Sequence, residues 1–184
     1  MHSDMLIVRH SIHPLVAQAY EDAQKFHHEQ TRKYTGAPYF THTREVASIL
    51  IRCGIEDPEM LCAAHGHDWY EDTDAPSDYV RRVYGDRVHA LIIGLTEHEV
   101  EGNRLVRKQA EAHRLWACDG DVQTIKCADL ISNTADIVPH DPGFARVYVA
   151  EKRYVLSGFT QADPVLYAWA CRSLLQAEDA LQRA

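Results

Sequence analysis

The sequence has no Cys-x-x-Cys pair, no long apolar run and no excess of positive charge. Its five cysteines are odd in number and lack metal-finger spacing, so neither a disulfide framework nor a cysteine-rich zinc site is expected. No stretch approaches the ~20 apolar residues that cross a bilayer. The net charge of −8 argues against a nucleic-acid backbone partner, which would need a broad basic stripe. We therefore expect neither membrane nor nucleic acid as partner.

Several catalytic motifs are missing as well. The chain has no Gly-rich phosphate loop, no Gly-x-Ser-x-Gly elbow and no Cys-His nucleophile pattern, which leaves hydrolysis by an activated water as the expected chemistry. Residues 1–9 hold too short an apolar run for a signal peptide, so a cytoplasmic protein is expected. With 184 residues, 46% of them hydrophobic, the chain suits one compact domain spanning 1–184.

What the sequence does contain is a run of helical patterns. Three Asp-Pro steps, at Asp57, Asp141 and Asp163, each place an N-cap acceptor before a proline suited to the first helical turn, and the last predicts a helix over 163–182. Gly85 is interpreted as a helix stop, and 29–40 as a loop. No alternating strand of convincing length is present. The prediction is an all-α helical bundle with a metal site in an interhelical cleft.

The most informative segment is His67-Asp68-Trp69-Tyr70-Glu71-Asp72. Together with His42 upstream and Asp129 downstream, the doublet His67-Asp68 offers imidazole and carboxylate ligands without thiolate, a set that suits Mn²⁺, Fe²⁺ or Zn²⁺. If the segment is one helix, Glu71 and Asp72 lie one turn beyond the doublet on the same face. They would then be placed to orient a water and move protons. A lone His-Asp pair often occurs by chance, and acidic residues on a helix usually form a solvated face. The choice between a metal site and a chance pattern therefore depends on the other motifs.

Those motifs carry a resemblance to the hydrolase domain of Rel/Spo-type alarmone enzymes, within the HD superfamily. It extends over about 15–157 and rests on motifs in one order: Asp22-Ala23 through His27, Gln30-Thr31-Arg32-Lys33, Gly36-Ala37-Pro38-Tyr39-Phe40-Thr41-His42, Val46-Ala47, His67-Asp68-x-x-Glu71-Asp72-Thr73, Tyr84-Gly85-x-x-Val88, Gly94-Leu95-Thr96, Lys126-x-Ala128-Asp129-x-x-x-Asn133 and Glu151-Lys152-Arg153-Tyr154-Val155-Leu156. Since no length remains for a synthetase or regulatory domain, the chain most resembles a stand-alone small alarmone hydrolase.

The resemblance implies roles for individual residues. His42, His67, Asp68 and Asp129 match the metal ligands, with Mn²⁺ the usual ion, and Glu71 and Asp72 match the pair that activates water. The substrate-binding matches are Arg32 and Lys33 beside the phosphates, Asn133 at sugar or phosphate, and Tyr148 near the ribose. The implied reaction is that of a guanosine-3′,5′-bis(diphosphate) 3′-pyrophosphohydrolase, which removes the 3′-pyrophosphate from a purine alarmone, ppGpp or ppApp.

Three questions stay open from sequence. The substrate could be another phosphorylated nucleotide, such as the 2′-phosphate of NADPH, or the chain could be an idle alarmone-binding module. Lys108, in Arg104-x-x-Arg107-Lys108, is interpreted equally well as a phosphate contact or as part of a solvated helix face. The oligomeric state is not predicted.

One pair departs from the family pattern. His65-Gly66 stands where the family usually has two apolar residues. Gly66 within a helix costs about 1 kcal/mol relative to Ala, which close backbone packing or a local kink would explain. For His65 we expect a partly buried side chain hydrogen-bonded to a backbone group, with an approach to the metal site as the alternative.

Overall fold

The computed structural model describes residues 13–183, and this part of the chain is helical without a named strand. The all-α prediction is therefore confirmed. The chain divides between Thr96 and Glu97 into two compact units, which are described in turn. The prediction of a single domain over 1–184 stays a prediction.

The first unit is organised around one short central helix. Its helices are α1 (Pro14–Phe26), α2 (Phe40–Arg52), α3 (Pro58–Gly66), α4 (Trp69–Asp72) and α5 (Ser77–Leu95). Helix α3 packs against α1, α2 and α5, and its residues 60–66 are all buried. A central helix that is enclosed by its neighbours needs a largely apolar surface, which agrees with the apolar run Met60–Ala64 of α3.

A buried carboxylate ties this unit together. Asp22 on α1 is 3% exposed and accepts hydrogen bonds from the hydroxyls of Tyr79 and Tyr84 on α5, both at 2.7 Å. The hydrogen bond to Asp22 raises the pKa of Tyr79 to about 12. Because a buried carboxylate needs such donors, Asp22 fixes the register of α1 against α5.

The second unit contains α6 (Arg104–Trp116), α7 (Gly120–His140), α8 (Pro142–Ser157) and α9 (Pro164–Arg183). Helix α9 packs along α7 and α8, and α6 packs mainly on α8. Gln123 on α7 is fully buried and connects two loops. Its amide NH₂ lies within hydrogen-bond reach of the carbonyls of Leu115, Trp116 and Cys118, and its Oε1 accepts from the amides of Thr160 and Gln161.

The predicted helix signals are confirmed. Each Asp of the three Asp-Pro steps accepts hydrogen bonds from backbone amides of the following helix: Asp57 at α3, Asp141 at α8 and Asp163 at α9. The C-terminal helix observed, Pro164–Arg183, agrees with the prediction of 163–182. Gly85 breaks α5 with a φ of +88°, a conformation that L side chains rarely adopt.

The absences noted in the sequence have counterparts in the structure. Among residues 13–183, no helix is both long enough and apolar enough to cross a membrane. All five cysteines are free thiols, with Cys62 and Cys127 buried. The expectation about residues 1–9 lies outside the described part of the chain, and the cytoplasmic location stays a prediction.

Candidate metal centre

The His-Asp doublet lies in a turn between two helices. Helix α3 ends at Gly66, and Asp68, with φ −101° and ψ 3°, interrupts the helical conformation before α4 begins at Trp69. The prediction from sequence placed Glu71 and Asp72 on the same face as the doublet by assuming one continuous helix. The structure shows two helices instead, separated by this turn. The amide of Asp72 still donates to the carbonyl of Asp68 at 3.0 Å, so Asp72 remains one turn beyond the doublet.

The geometry of His67 fixes its tautomer. Nδ1 lies 2.9 Å from the carbonyl oxygen of Ala64 and, since a carbonyl only accepts, Nδ1 carries the proton in the neutral ring. Nε2 is then the lone-pair nitrogen, and it lies 2.9 Å from Oδ2 of Asp68. A hydrogen bond from Nδ1 to a backbone carbonyl is the usual way in which a metal-ligating histidine is oriented.

His42 completes a compact group in the first unit. It is 1% exposed on α2, its Nε2 lies 3.8 Å from Oδ2 of Asp68, and its ring centroid lies 5.1 Å from that of His67. The ligand atoms of His42 and His67 lie within 4.8 Å of each other. Three sequence-predicted ligands, His42, His67 and Asp68, are thus brought together.

The donor set fits a divalent cation. A lone-pair imidazole nitrogen and an ionised carboxylate oxygen repel each other at 2.9 Å unless a proton or a cation lies between them. Two ligand atoms at right angles, each about 2.1 Å from one ion, are about 3 Å apart. Neutral imidazole with carboxylate matches the preference of first-row divalent metals. The residues present are therefore suited to bind such an ion.

Glu71 and Asp72 are more open to solvent than the histidines, and both are exposed at the end of α4. Desolvation, followed by the negative charge of Asp68, raises the pKa of Asp72 above the ordinary carboxyl range. The side-chain amide of Gln30 donates to the backbone carbonyl of Asp72, which holds this segment against the loop after α1. A carboxyl group with a raised pKa is suited to accepting and returning protons.

The predicted loop delivers Arg32 and Lys33 from the segment between α1 and α2. The amide of Arg32 donates to the carbonyl of Ala37 at 2.8 Å, and Gly36, with a φ of +69°, makes the turn. The guanidinium of Arg32 is largely buried and lies 3.8 Å from Glu45. Lys33 is exposed, and its ammonium lies over the ring of Tyr34.

The other sequence-predicted residues belong to the second unit. Asp129 on α7 is 6% exposed, and it interacts with Lys126 at 2.8 Å and with the side-chain amide of Asn133 at 2.6 Å. Lys108 forms an ion pair with Glu97 at 2.6 Å. Tyr148 is buried, and burial followed by the charge of Asp129 raises the pKa of its hydroxyl.

The structure explains why glycine occupies position 66, where the family usually has an apolar residue. A Cβ on Gly66 would lie 2.7 Å from Cδ1 of Ile92 and 2.8 Å from Cε3 of Trp69, so close packing requires glycine. His65 is 5% exposed, but it has no hydrogen bond to any of residues 13–183, so the expected backbone hydrogen bond is not present. Burial lowers the pKa of His65 to about 3.

Two residues outside the predicted ligand and substrate-binding sets also shape this site. The hydroxyl of Tyr39 donates to Oδ2 of Asp68 at 2.8 Å, and the Tyr39 ring lies 4.8 Å from that of His27. His27, buried at the end of α1, hydrogen bonds through Nδ1 to Gln30 at 2.7 Å. The spacing of Tyr39 three residues before His42 was the available signal, since such pairs share a helix face.

Comparison with known proteins places the chain in a family. The family model for the HD domain matches residues 19–140. A human protein named guanosine-3′,5′-bis(diphosphate) 3′-pyrophosphohydrolase MESH1 is 33% identical over 122 residues, which cover 65% of this chain and 68% of that protein. An Aquifex aeolicus protein, named guanosine-3′,5′-bis(diphosphate) 3′-pyrophosphohydrolase, is 36% identical over 122 residues, which cover 64% of this chain.

Other relatives are much longer than the matched region. A Streptomyces antibioticus protein named GTP pyrophosphokinase is 38% identical over 124 residues, which cover 64% of this chain. The match spans 14% of that protein and 17% of the Aquifex protein.

A solved structure, described as a metazoan ortholog of SpoT that hydrolyzes ppGpp, shares the fold with a TM-score of 0.80 at 24% identity. That similarity covers 88% of this chain and 94% of the other. The chain therefore belongs to the HD domain family and is related in sequence to guanosine-3′,5′-bis(diphosphate) 3′-pyrophosphohydrolases.

Proposed function

We propose that this chain is a metal-dependent phosphohydrolase that removes the 3′-pyrophosphate from ppGpp. The observation that carries the proposal is the close approach of two acceptor atoms, Nε2 of His67 and Oδ2 of Asp68, with His42 beside them. This arrangement is suited to a cation, and the human and Aquifex relatives are named for hydrolysis of guanosine-3′,5′-bis(diphosphate), a reaction that releases its 3′-pyrophosphate. The proposal includes the adenine alarmone ppApp as a second possible substrate of the same reaction.

The chain's own residues would divide the work. His42, His67 and Asp68 would hold the ion, while the Ala64 carbonyl and the Tyr39 hydroxyl keep the ring of His67 and the carboxylate of Asp68 in place. When bound, the ion would polarise a phosphoryl oxygen and lower the pKa of water at the site. Asp72, with its raised pKa, accepts the proton of the attacking water, and Glu71 orients that water.

We further propose Asp129 as the fourth ligand and Mn²⁺ as the ion, with Fe²⁺ or Zn²⁺ as alternatives. The support for Asp129 is its place in Lys126-x-Ala128-Asp129 and its burial as a carboxylate. Asp129→Asn should lower the Mn²⁺ content of purified protein, whereas Asp121→Asn on the same helix should not. Equal metal content in both variants would remove Asp129 from the ligand set.

The proposed substrate contacts are Arg32, Lys33, Asn133, Tyr148 and Lys108. Lys33 is the more exposed of the two loop cations. Arg32 would have to exchange its contact with Glu45 for a contact with a substrate phosphate. Arg32→Ala should mainly raise KM, because it removes binding of a group that does not react. An unchanged KM with less bound metal would show that Arg32 supports the metal centre instead.

The first experiment is pyrophosphate release from ppGpp and ppApp side by side, with Mn²⁺ and with EDTA. We expect release with Mn²⁺ and its loss with EDTA, and the rate ratio identifies the preferred base. If neither alarmone is hydrolysed by Mn²⁺-loaded protein, the 2′-phosphate of NADPH is the next substrate to test. Tight alarmone binding without turnover would instead indicate an idle binding module.

Asp72→Asn tests the water-activating role. The amide cannot accept a proton, so kcat should fall by about 10²-fold or more while Mn²⁺ content stays near that of the parent. Asp74→Asn, a change of another exposed carboxylate in the same segment, is the matched control and should leave kcat unchanged. Unchanged turnover in Asp72→Asn would exclude Asp72 as the base.

A further inference from the structure

A cavity of about 290 Å³ lies in the first unit between α1, α2 and α3. Its lining contains neither of the histidines of the metal centre and neither of the water-activating carboxylates. The walls are mostly apolar, with Val16 and Ala17 from α1, Ala47 and Ile51 from α2, and Leu61 from α3. The cavity is therefore a feature separate from the proposed catalytic site.

The size limits what the cavity can hold. An engineered apolar cavity of about 150 Å³ binds benzene, and pockets for drug-sized ligands begin at about 300 Å³. A volume of 290 Å³ thus accommodates one phenyl ring or branched aliphatic chain together with a short polar head.

A buried polar side chain in the wall points to a ligand. His65 lines the cavity, is 5% exposed, and hydrogen bonds to none of residues 13–183. Its ring meets that of Tyr20, also a lining residue, edge-on at 5.7 Å between centroids. Since a buried polar group without a hydrogen bond is costly, a molecule offering His65 a partner would bind favourably.

Two opposite charges accompany the apolar wall. Arg44 on α2 is half-buried, and its guanidinium makes no ion pair with a side chain of the described range 13–183. Glu21 on α1 also lines the cavity but is exposed, which places it toward the opening. A cation and a carboxylate beside an apolar cavity complement a zwitterionic head joined to an apolar body.

We propose that this cavity binds a free α-amino acid with an apolar side chain. The side chain lies among Val16, Ile51 and Leu61, and the ammonium group faces Glu21 at the opening. The carboxylate binds the Arg44 guanidinium and accepts a hydrogen bond from the ring of His65. The carboxylate of Glu21 discriminates against a ligand that carries only a negative charge. This proposal is independent of the proposed hydrolase activity.

Three probes with the same phenyl body test the head group. L-phenylalanine carries both charges, 3-phenylpropanoate only the carboxylate, and 2-phenylethylamine only the ammonium. Binding to the full chain is measured by saturation-transfer NMR and calorimetry. We expect L-phenylalanine to bind more tightly than either singly charged analogue. Equal or tighter binding of 3-phenylpropanoate, or no binding of any probe, would overturn the proposal.

Matched variants test whether L-phenylalanine binds in this cavity. Arg44→Gln should weaken L-phenylalanine binding by about tenfold or more, because it removes a charge-assisted hydrogen bond. Arg52→Gln, on the same helix but exposed and outside the lining, should leave the affinity unchanged. Ala17→Phe should fill the cavity and abolish binding, with thermal unfolding used to confirm that each variant is folded. Equal affinity in Arg44→Gln and Arg52→Gln would overturn the proposal.

Discussion

Several contacts converge on one oxygen atom, Oδ2 of Asp68. Tyr39 donates a hydroxyl to it at 2.8 Å, while the ring nitrogens of His67 and His42 lie at 2.9 Å and 3.8 Å. The tyrosine contact joins a donor with an acceptor, whereas neutral His67 presents the lone pair of Nε2 to the carboxylate. The two ring nitrogens therefore identify the position where a cation would be bound.

Gly66, directly before His67, gives a prediction at the scale of one residue. Gly66→Ala should lower the free energy of unfolding by about 1–2 kcal/mol, because the clash with Ile92 and Trp69 outweighs the better helix propensity of alanine. Gly143→Ala is the control, since its Cβ would meet only Asp141 Oδ1 at 3.8 Å. Urea denaturation measures both, and equal stabilities would contradict the packing argument.

At the scale of elements, the N-terminus of α3 is connected to α5 by charge. Arg87 on α5 donates to the carboxylate of Asp57, the α3 N-cap, at 3.0 Å and to that of Glu59 at 2.6 Å. Burial alone would raise the pKa of Asp57, but the amide of Met60 and the Arg87 guanidinium outweigh it and leave that pKa below the usual range. The cap therefore stabilises the fold most when it is ionised.

Asp57→Asn separates the helix-capping role of Asp57 from its ion pair with Arg87. Asparagine caps a helix as well as aspartate does, but it carries no charge to form the ion pair. A pKa lowered in the folded state contributes stability that is present above the unfolded value of about 3.9 and is lost as pH falls through the folded value. The parent should therefore exceed Asp57→Asn in unfolding free energy at pH 7, and this difference should shrink below about pH 4. A difference independent of pH would contradict the ion-pair role.

At the scale of the whole molecule, each unit has its own buried polar centre. Asp22 holds α1 against α5 in the first unit, and Gln123 on α7 joins the α6–α7 connection to the loop between α8 and α9 in the second. Both groups are enclosed and satisfied by several partners, so their removal would leave buried polar groups without hydrogen bonds. They provide one probe of stability for each unit.

Asp22→Leu and Gln123→Leu test whether 1–184 behaves as the single domain predicted from sequence. Each should lower the free energy of unfolding by at least about 2 kcal/mol. In a single cooperative domain, both variants shift one calorimetric transition to lower temperature. Two transitions, each sensitive to one variant, would show that the units unfold independently.

The helical class, the three Asp-Pro caps, the stop at Gly85 and the candidate ligands were all predictable from the amino-acid sequence. The caps and the stop at Gly85 depend on local rules, because each is encoded within a few residues. The prediction that His42, His67 and Asp68 belong together came from motif order, and the first unit does bring them together. The remaining site residues stay predictions.

The way in which those residues are supported depends on the packing of the helices. The turn at Asp68, the hydroxyl of Tyr39 on its carboxylate and the packing that requires Gly66 involve contacts between helices distant in sequence. The same holds for His65, whose surroundings come from α1 and α2 as well as its own helix. Such contacts depend on packing of whole elements, which periodicity within one segment does not specify.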